Sequence, residues 1–236
     1  MFKKIFITIL SFSLLISNSA FSNSNYIFPS QMEDDSDTPV SINNSDPFEK
    51  YNRKIFTINQ YIEKAIFKPI TITYMKLLPK NIQKGVSNFV NNLYTPLSFI
   101  NSALTLSLND SLTNLWRFIL NTSFGVGGFY DFASQAGLKN NKRDFSDTLA
   151  FYKFGKGPYI IIPILGPSNG RETIGKITDI LIDPINYIPN TNFVNFRTGL
   201  IILDSYSDKI KYIDNIEKNS LDPYVTIRSL FLQNKR

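Results

Sequence analysis

The 236-residue sequence contains no histidine and no cysteine, and it has a single tryptophan. Without histidine there is no Ser-His-Asp triad, and without histidine and cysteine the common zinc ligands are missing. The absence of cysteine also excludes disulfide bonds and a cysteine-linked lipid, so folding has to rest on core packing. We therefore expect a protein that is not an enzyme and that holds neither a metal nor a cofactor.

Complete nucleotide-binding and hydrolase motifs are missing as well. The segments 125–128 (GVGG) and 155–157 (GKG) lack the third glycine of a dinucleotide fingerprint and the Lys-Ser/Thr pair of a P-loop. The segment 166–170 (GPSNG) fits the G-x-S-x-G pattern, but a serine nucleophile needs a base, and no partner lysine is marked by its spacing. We therefore interpret Ser168 as the cap of a helix that begins near Arg171.

Aromatic residues are abundant, with 20 Phe and 12 Tyr in a chain that is 43% hydrophobic. They either fill a core or contact apolar material other than protein. The net charge is +6, and the lysines and arginines are scattered rather than clustered. This distribution argues against nucleic acid as a partner, and it suits attraction to anionic headgroups or to an acidic protein.

The N-terminus has the features of a secretory signal peptide. Lys3 and Lys4 precede an apolar run from Ile5 to Ile16, and small residues follow, which predicts cleavage after Ser22. The alternative is an uncleaved anchor formed by the same run. Residues 23–45 are polar and acidic and predict a flexible leader, so the folded domain is expected to span residues 46–236.

Helical periodicity dominates the folded domain, which predicts a mainly α protein built from amphipathic helices. Asp46-Pro47 provides a start signal for an apolar stripe that ends near Lys68-Pro69, and the segment 70–78 fits a strand or a short helix. Further helices are predicted at 81–93, 96–108, 109–120, 171–182 and 193–216, with Thr95 and Asn109 as caps and a last helix opening at Asp222-Pro223.

A central apolar segment, 154–170 (FGKGPYIIIPILGPSNG), interrupts the helical pattern. Gly155 and Gly157 precede Pro158, so they form either a hinge for a stiff apolar segment or a buried, closely packed turn. Pro163 argues against a central strand, which favours an apolar hairpin without strands.

Several motifs appear in order between residues 46 and 234. They are DPFEKYNR at 46–53, GVSNF at 85–89, RFILNT at 117–122, GVGGFYD at 125–131, GPY at 157–159 and DPY at 222–224. Together these motifs resemble the VacJ/MlaA family of outer-membrane proteins. The family motif residues are Asp46, Pro47, Asn52, Arg53, Asn121, Gly127, Gly128 and Asp131.

The resemblance implies a ring-like arrangement of amphipathic helices around a central amphipathic channel, with an apolar hairpin loop. It implies a location at the periplasmic face of the outer membrane and removal of mislocalised phospholipids from the outer leaflet to maintain lipid asymmetry. The implied partners are phospholipid, a porin trimer and a soluble periplasmic lipid carrier. The alternative is a porin-associated interaction protein, serving surface integrity or intercellular spread, that conducts no lipid. Family members usually carry a lipid-modified cysteine, which this sequence lacks.

Within this reading, Arg117, Lys153 or Lys156 is expected near the route of the lipid headgroup. The passage is expected to be bounded by the apolar segment Pro158, Tyr159, Ile160, Ile161 and Ile162. Gly155 and Gly157 would let the hairpin 145–168 move. Pairing of Arg53, Arg117 and Arg171 with carboxylates or helix ends remains an alternative role for these arginines.

Overall fold

The computed structural model describes residues 46–234, and the predicted signal peptide and leader lie outside this range. Within it the chain is mainly helical, as predicted. The α-helices are α1 (Glu49–Ile62), α2 (Lys68–Leu77), α3 (Lys80–Leu104), α4 (Leu108–Ser123), α5 (Phe132–Gln135), α6 (Phe145–Phe151), α7 (Gly170–Ile182), α8 (Thr191–Asn219) and α9 (Pro223–Asn234). A short 3-10 helix, Pro184–Tyr187, lies between α7 and α8.

Helices α1 and α2 form one continuous rod. Asp46 Oδ1 accepts a hydrogen bond from the Phe48 amide, but α1 begins at Glu49 with Phe48 as its N-cap, so the start predicted at Asp46-Pro47 lies two residues too early. The predicted stop near Pro69 is wrong, because the five residues Glu63–Phe67 are π-helical and α2 continues to Leu77. Pro69 lies at the start of α2, where a missing amide hydrogen is tolerated, so the ambiguous segment 70–78 is helical up to Leu77.

Helix α3 is also longer than predicted. It runs through Thr95-Pro96 as one 25-residue helix, although Pro96 removes the bond to the carbonyl of Asn92. The Thr95 hydroxyl donates to the Asn91 carbonyl at 3.0 Å, and neighbouring side chains of this turn are buried. Packing therefore holds the helix together where local sequence favours a break. Ser107, rather than Asn109, precedes the first residue of α4.

The central segment forms a β-hairpin. Strand β1 (Tyr159–Ile162) pairs antiparallel with β2 (Gly166–Asn169), with Tyr159 opposite Asn169 and Ile162 opposite Gly166. The predicted hairpin is present, but the expectation that it lacks strands is wrong, because Pro163 falls in the turn just after β1 ends. Asn169, rather than Ser168, caps α7 by accepting a hydrogen bond from the Glu172 amide at 2.9 Å.

The hairpin lies between the two ends of the described chain. Tyr159 and Ile161 pack with Tyr224 and Phe231 of α9 in a buried apolar cluster, which also contacts Phe56 of α1. A second small cluster joins Val86 and Val90 of α3 to Ile201 of α8. Much of the remaining interior is polar, including Asn101, Asn114, Asp179, Asp183 and Arg197.

Candidate functional site

Helix α4 has its apolar face outside and its polar face inside. Leu112 and Trp116 are 55% and 54% exposed, whereas Asn114 and Arg117 are 1% and 3% exposed. A water-facing helix has the opposite arrangement, because apolar side chains are stabilised by burial. The apolar face predicted from sequence therefore exists, but it points away from the protein. An apolar environment outside the protein would stabilise it.

Other elements repeat this inversion. In α7, Ile174, Ile177 and Leu181 are exposed, while Glu172 and Asp179 are buried. The end of α3 and the turns beside α4 add exposed apolar side chains at Leu104, Leu106, Phe124 and Val126. We call the exposed apolar residues of α4, of α7, of the end of α3 and of these turns the apolar rim. Within residues 46–234, no helix is long and apolar enough to span a bilayer.

A pocket of about 180 Å³ lies between the hairpin, α1, the π-helical turn, α8 and α9. Most of its lining is apolar, including Phe56, Phe67, Ile161, Leu165, Ile213 and Phe231. Gln60, Glu63, Tyr206 and Lys209 add polar groups. Burial raises the pKa of Glu63, although a hydrogen bond with Tyr206 opposes this shift. The pocket therefore combines an apolar wall with polar groups, which matches the requirements of an amphiphile.

Two asparagines of α1 attach the hairpin to this helix. Asn52 Nδ2 donates to the Tyr159 carbonyl at 3.2 Å, and Asn52 Oδ1 accepts from the Ile161 amide at 2.8 Å. About two helical turns further on, Asn59 repeats the pattern with the Ile162 carbonyl at 3.0 Å and the Ile164 amide at 2.7 Å. The two asparagine side chains thus make the hydrogen bonds to β1 and its turn that a neighbouring strand would otherwise make. We therefore expect β1 and α1 to move together.

We expect Asn52→Leu to lower the free energy of unfolding by about 2–4 kcal/mol, because it leaves two backbone groups of β1 buried without partners. Hydrogen exchange should also become faster at the Ile161 amide. Thermal unfolding in detergent and exchange mass spectrometry measure both effects. The control is Asn215→Leu at an exposed position of α8, which should change stability by less than about 0.5 kcal/mol. Equal losses in the two variants would contradict the role of Asn52.

The connection between α6 and β1 contains the predicted glycines. Gly157 has a φ of +70°, and a Cβ there would lie 3.3 Å from the Gly170 Cα, so this position is a closely packed turn. Gly155 has open space around it and no such backbone constraint. Lys153 and Lys156 are exposed on the same connection. Of the two glycines, Gly155 is therefore the one whose surroundings suit a hinge.

Arg117 lies in a buried network rather than at a free surface. Its guanidinium donates to both carboxylate oxygens of Asp131, at 3.0 and 3.1 Å, and to the Ser134 hydroxyl. Burial acts to raise the pKa of Asp131, but hydrogen bonds from Ser134 and the charge of Arg117 outweigh it and lower this pKa. Asn121 joins the network through Asp131 and through the Ala133 amide. These contacts match the alternative of a structural role.

The other motif residues also support the fold. Gly127 and Gly128 have φ values of +69° and +103°, and Gly128 packs against Asn92. Arg53 pairs with Glu49 and Asp222 and lies over the Tyr224 ring, joining α1 to the start of α9. Asp46 accepts from the Tyr224 hydroxyl, and Arg171 donates to the Phe154 carbonyl. The motifs at the two ends of the domain therefore meet in space.

Two lysines near the pocket were missed by sequence reasoning. Lys209 lines the pocket, and Lys176 Nζ lies 3.3 Å from Ser168 Oγ. Ser168 itself is fully buried in β2, where its oxygen also accepts from Thr173. The spacing of eight residues between Ser168 and Lys176 is no recognised motif, and only the approach of α8 brings Lys209 close.

Comparisons with known proteins agree with these features. A family model described as MlaA lipoprotein matches residues 44–236. An uncharacterised protein of Rickettsia typhi is 37% identical over 188 residues, which cover 78% of this chain and 74% of that protein. The intermembrane phospholipid transport system lipoprotein MlaA of Haemophilus influenzae is 30% identical over 205 residues, covering 84% of this chain and 80% of the relative.

A solved structure described as the structural basis for maintenance of bacterial outer membrane lipid asymmetry matches with a TM-score of 0.65 and 29% identity. The match covers 80% of this chain and 96% of that chain. The family model and the relatives confirm the resemblance read from the sequence motifs. The chain belongs to the MlaA lipoprotein family.

Proposed function

We propose that the protein takes part in intermembrane phospholipid transport, removing mislocalised phospholipids from the outer leaflet of the outer membrane and passing them to a soluble periplasmic carrier. The observation that carries this proposal is the inverted amphipathicity of α4 and α7, which suits a protein embedded in lipid. The names of the relatives in Haemophilus influenzae and Escherichia coli, both phospholipid transport lipoproteins, support it. The proposed location is the periplasmic face of the outer membrane, beside a porin trimer.

The mechanism we propose is differential solvation. A phospholipid that leaves a leaflet has to keep its headgroup wet and its tails dry, and each exposed methylene costs about 0.8 kcal/mol. The helices would form a ring around an amphipathic channel, with the apolar rim in the inner leaflet. The apolar residues of β1, which line the pocket at Ile161, would then face the tails. No bond of the lipid is made or broken in this scheme.

Membrane attachment is proposed to rest on the apolar rim and on the porin partner. The family description is that of a lipoprotein, whereas these 236 residues contain no cysteine. The exposed leucines, isoleucines and Trp116 of the rim offer apolar area that a membrane interior would bury. Burial of a large apolar side chain contributes about 1.5–3 kcal/mol, so several of them can replace one acyl chain.

Movement of the hairpin together with α1 is proposed to open and close the passage, with Gly155 as the flexible point. We expect Gly155→Pro to raise the amount of phospholipid in the outer leaflet towards the level of cells without the protein, because proline removes backbone freedom at this position. The measurement is chemical labelling of surface phosphatidylethanolamine in cells whose only copy carries the change. Gly155→Ala is the matched control, since the space around Gly155 accommodates a methyl group.

The same experiment separates transport from the scaffold alternative. If Gly155→Pro is folded and porin-bound but surface phospholipid stays at the normal level, the hinge mechanism is wrong. If removal of the whole gene also leaves surface phospholipid unchanged while porin assembly or surface integrity suffers, the protein is a scaffold without lipid conduction. Transport requires a rise in surface phospholipid upon gene removal.

A further inference from the structure

The pocket behind the hairpin has a cationic group in its wall. Lys209 reaches the pocket from α8, among apolar residues such as Ile161, Ile213 and Leu230. The Lys176 ammonium approaches from α7 and donates to Ser168 of β2. Lys209 thus lies in the wall of the pocket, and Lys176 is close enough to influence its charge.

The charges of these two lysines oppose each other. Burial, reinforced by the neighbouring Lys176 ammonium, lowers the pKa of Lys209 to about 8, and the carboxylate of Asp208 counteracts this only in part. Two like charges near an apolar wall are unfavourable, and a bound anion would offset both the repulsion and the loss of hydration. The acidic group in the same wall is Glu63, whose pKa is raised by burial, so the side of the pocket that suits an anionic ligand is the one formed by Lys209.

We propose that this pocket binds one hydrocarbon chain of a lipid and that Lys209, assisted by Lys176, holds an anionic phosphate oxygen of the same molecule. This proposal rests on the proposed transport function, and it adds which groups of the protein would bind the lipid's hydrocarbon chain and its phosphate. The headgroup contact is thereby placed at Lys176 and Lys209, instead of at the lysines 153 and 156 that the sequence pointed to.

The size of the pocket limits what it can hold. An apolar cavity of about 150 Å³ takes up one benzene molecule, so a volume of about 180 Å³ accommodates part of one acyl chain and not two chains. Lysine binds phosphate as a point charge, and a charge-assisted bond in an apolar setting is about twice as strong as a neutral one. A single-chain phospholipid is therefore the simplest ligand that satisfies both parts of the site.

The test is a binding assay on the full mature chain purified in detergent, with displacement of a fluorescent fatty acid as the signal. The competing probes are oleoyl lysophosphatidic acid, oleate, oleyl alcohol and inorganic phosphate. We expect lysophosphatidic acid to bind most tightly and Lys209→Met to weaken it by about 10- to 100-fold, with little effect on oleyl alcohol. Lys211→Met is the matched control, because Lys211 is exposed on the same helix.

A second variant, Ile213→Trp, fills the pocket without changing charge and should weaken lysophosphatidic acid and oleyl alcohol alike. The proposal is overturned if Lys209→Met behaves as Lys211→Met does, if oleyl alcohol binds as tightly as lysophosphatidic acid, or if inorganic phosphate competes equally well. Oleate binding as tightly as lysophosphatidic acid would overturn the preference for phosphate. The transport function is tested separately, by measuring surface phospholipid in cells. If the pocket binds lysophosphatidic acid as expected but removal of the gene leaves surface phospholipid unchanged, transport is refuted and the binding site is not.

Discussion

Replacing Arg197 by methionine is expected to lower the free energy of unfolding by about 3–5 kcal/mol, the largest stability loss we predict for a single side chain. Arg197 Nη2 lies 2.7 Å from Asp183 Oδ2, and both side chains are completely buried. The variant leaves the Asp183 carboxylate without its counter-charge in a setting where an unpaired charge is costly. Thermal or denaturant unfolding in detergent, together with the amount of protein in membranes, measures the loss.

The double variant Arg197→Met, Asp183→Asn tests the physical cause. Asparagine keeps the Oδ1 that accepts from the Ile185 amide at 3.0 Å, and it removes the buried charge. Most of the lost stability should return, leaving a deficit of about 1–2 kcal/mol. Lys64→Met is the control, because its pair with Glu217 is largely exposed at the lysine and should contribute less than about 1 kcal/mol. Equal losses in the single and double variants would exclude the unpaired charge as the cause.

Changing Leu112 and Trp116 together to glutamine is expected to weaken binding to lipid vesicles by roughly 100-fold without unfolding the protein. Both side chains are more than half exposed on the outer face of α4, so glutamine can replace them without introducing a buried polar group. Moving an apolar side chain out of a lipid environment costs at least about 1.5 kcal/mol. Two such side chains cost about 3 kcal/mol, which corresponds to the roughly 100-fold weaker binding. Flotation of the purified chain with phosphatidylethanolamine–phosphatidylglycerol vesicles measures it.

The matched control for the apolar rim is Leu112→Met with Trp116→Phe, which keeps the surface apolar and should retain vesicle binding. Unfolding temperatures of both variants should match that of the parent, since the buried face of α4 is unchanged. If the glutamine variant floats with vesicles as the parent does, then α4 does not contact lipid and the inverted helix needs another explanation.

The sequence predicted the helical class well because helix starts and apolar periodicity are local signals. The helix start at Asp222-Pro223 and the stripe of α8 could be read from neighbouring residues alone. The failures occurred where tertiary contacts override local preference. Pro96 lies inside α3 because packing on both sides supports the helix, and the π-helical turn before Pro69 has no sequence signal that we recognised.

The sequence singled out the hairpin as part of a lipid passage, and this role stays a prediction. The apolar residues from Tyr159 to Ile162 do border a pocket at Ile161, and Gly155 has the surroundings of a hinge. The sequence pointed to Lys153 and Lys156 because they interrupt a segment that is otherwise small and apolar, whereas no sequence signal marked Lys176 and Lys209. Tertiary packing brings Lys176 of α7 to the hairpin and Lys209 of α8 to the pocket, and residue spacing does not reveal this packing.

The amides of Asn52 and Asn59 have a consequence for assembly. A two-stranded sheet normally presents an open edge to which another polypeptide can add as an extra strand, with aggregation as the usual hazard. In this protein the edge of β1 is already occupied by side chains of its own first helix. Addition of a strand from a protein partner or from a second copy is therefore blocked at this edge, so any contact made there has to use helix faces or loops.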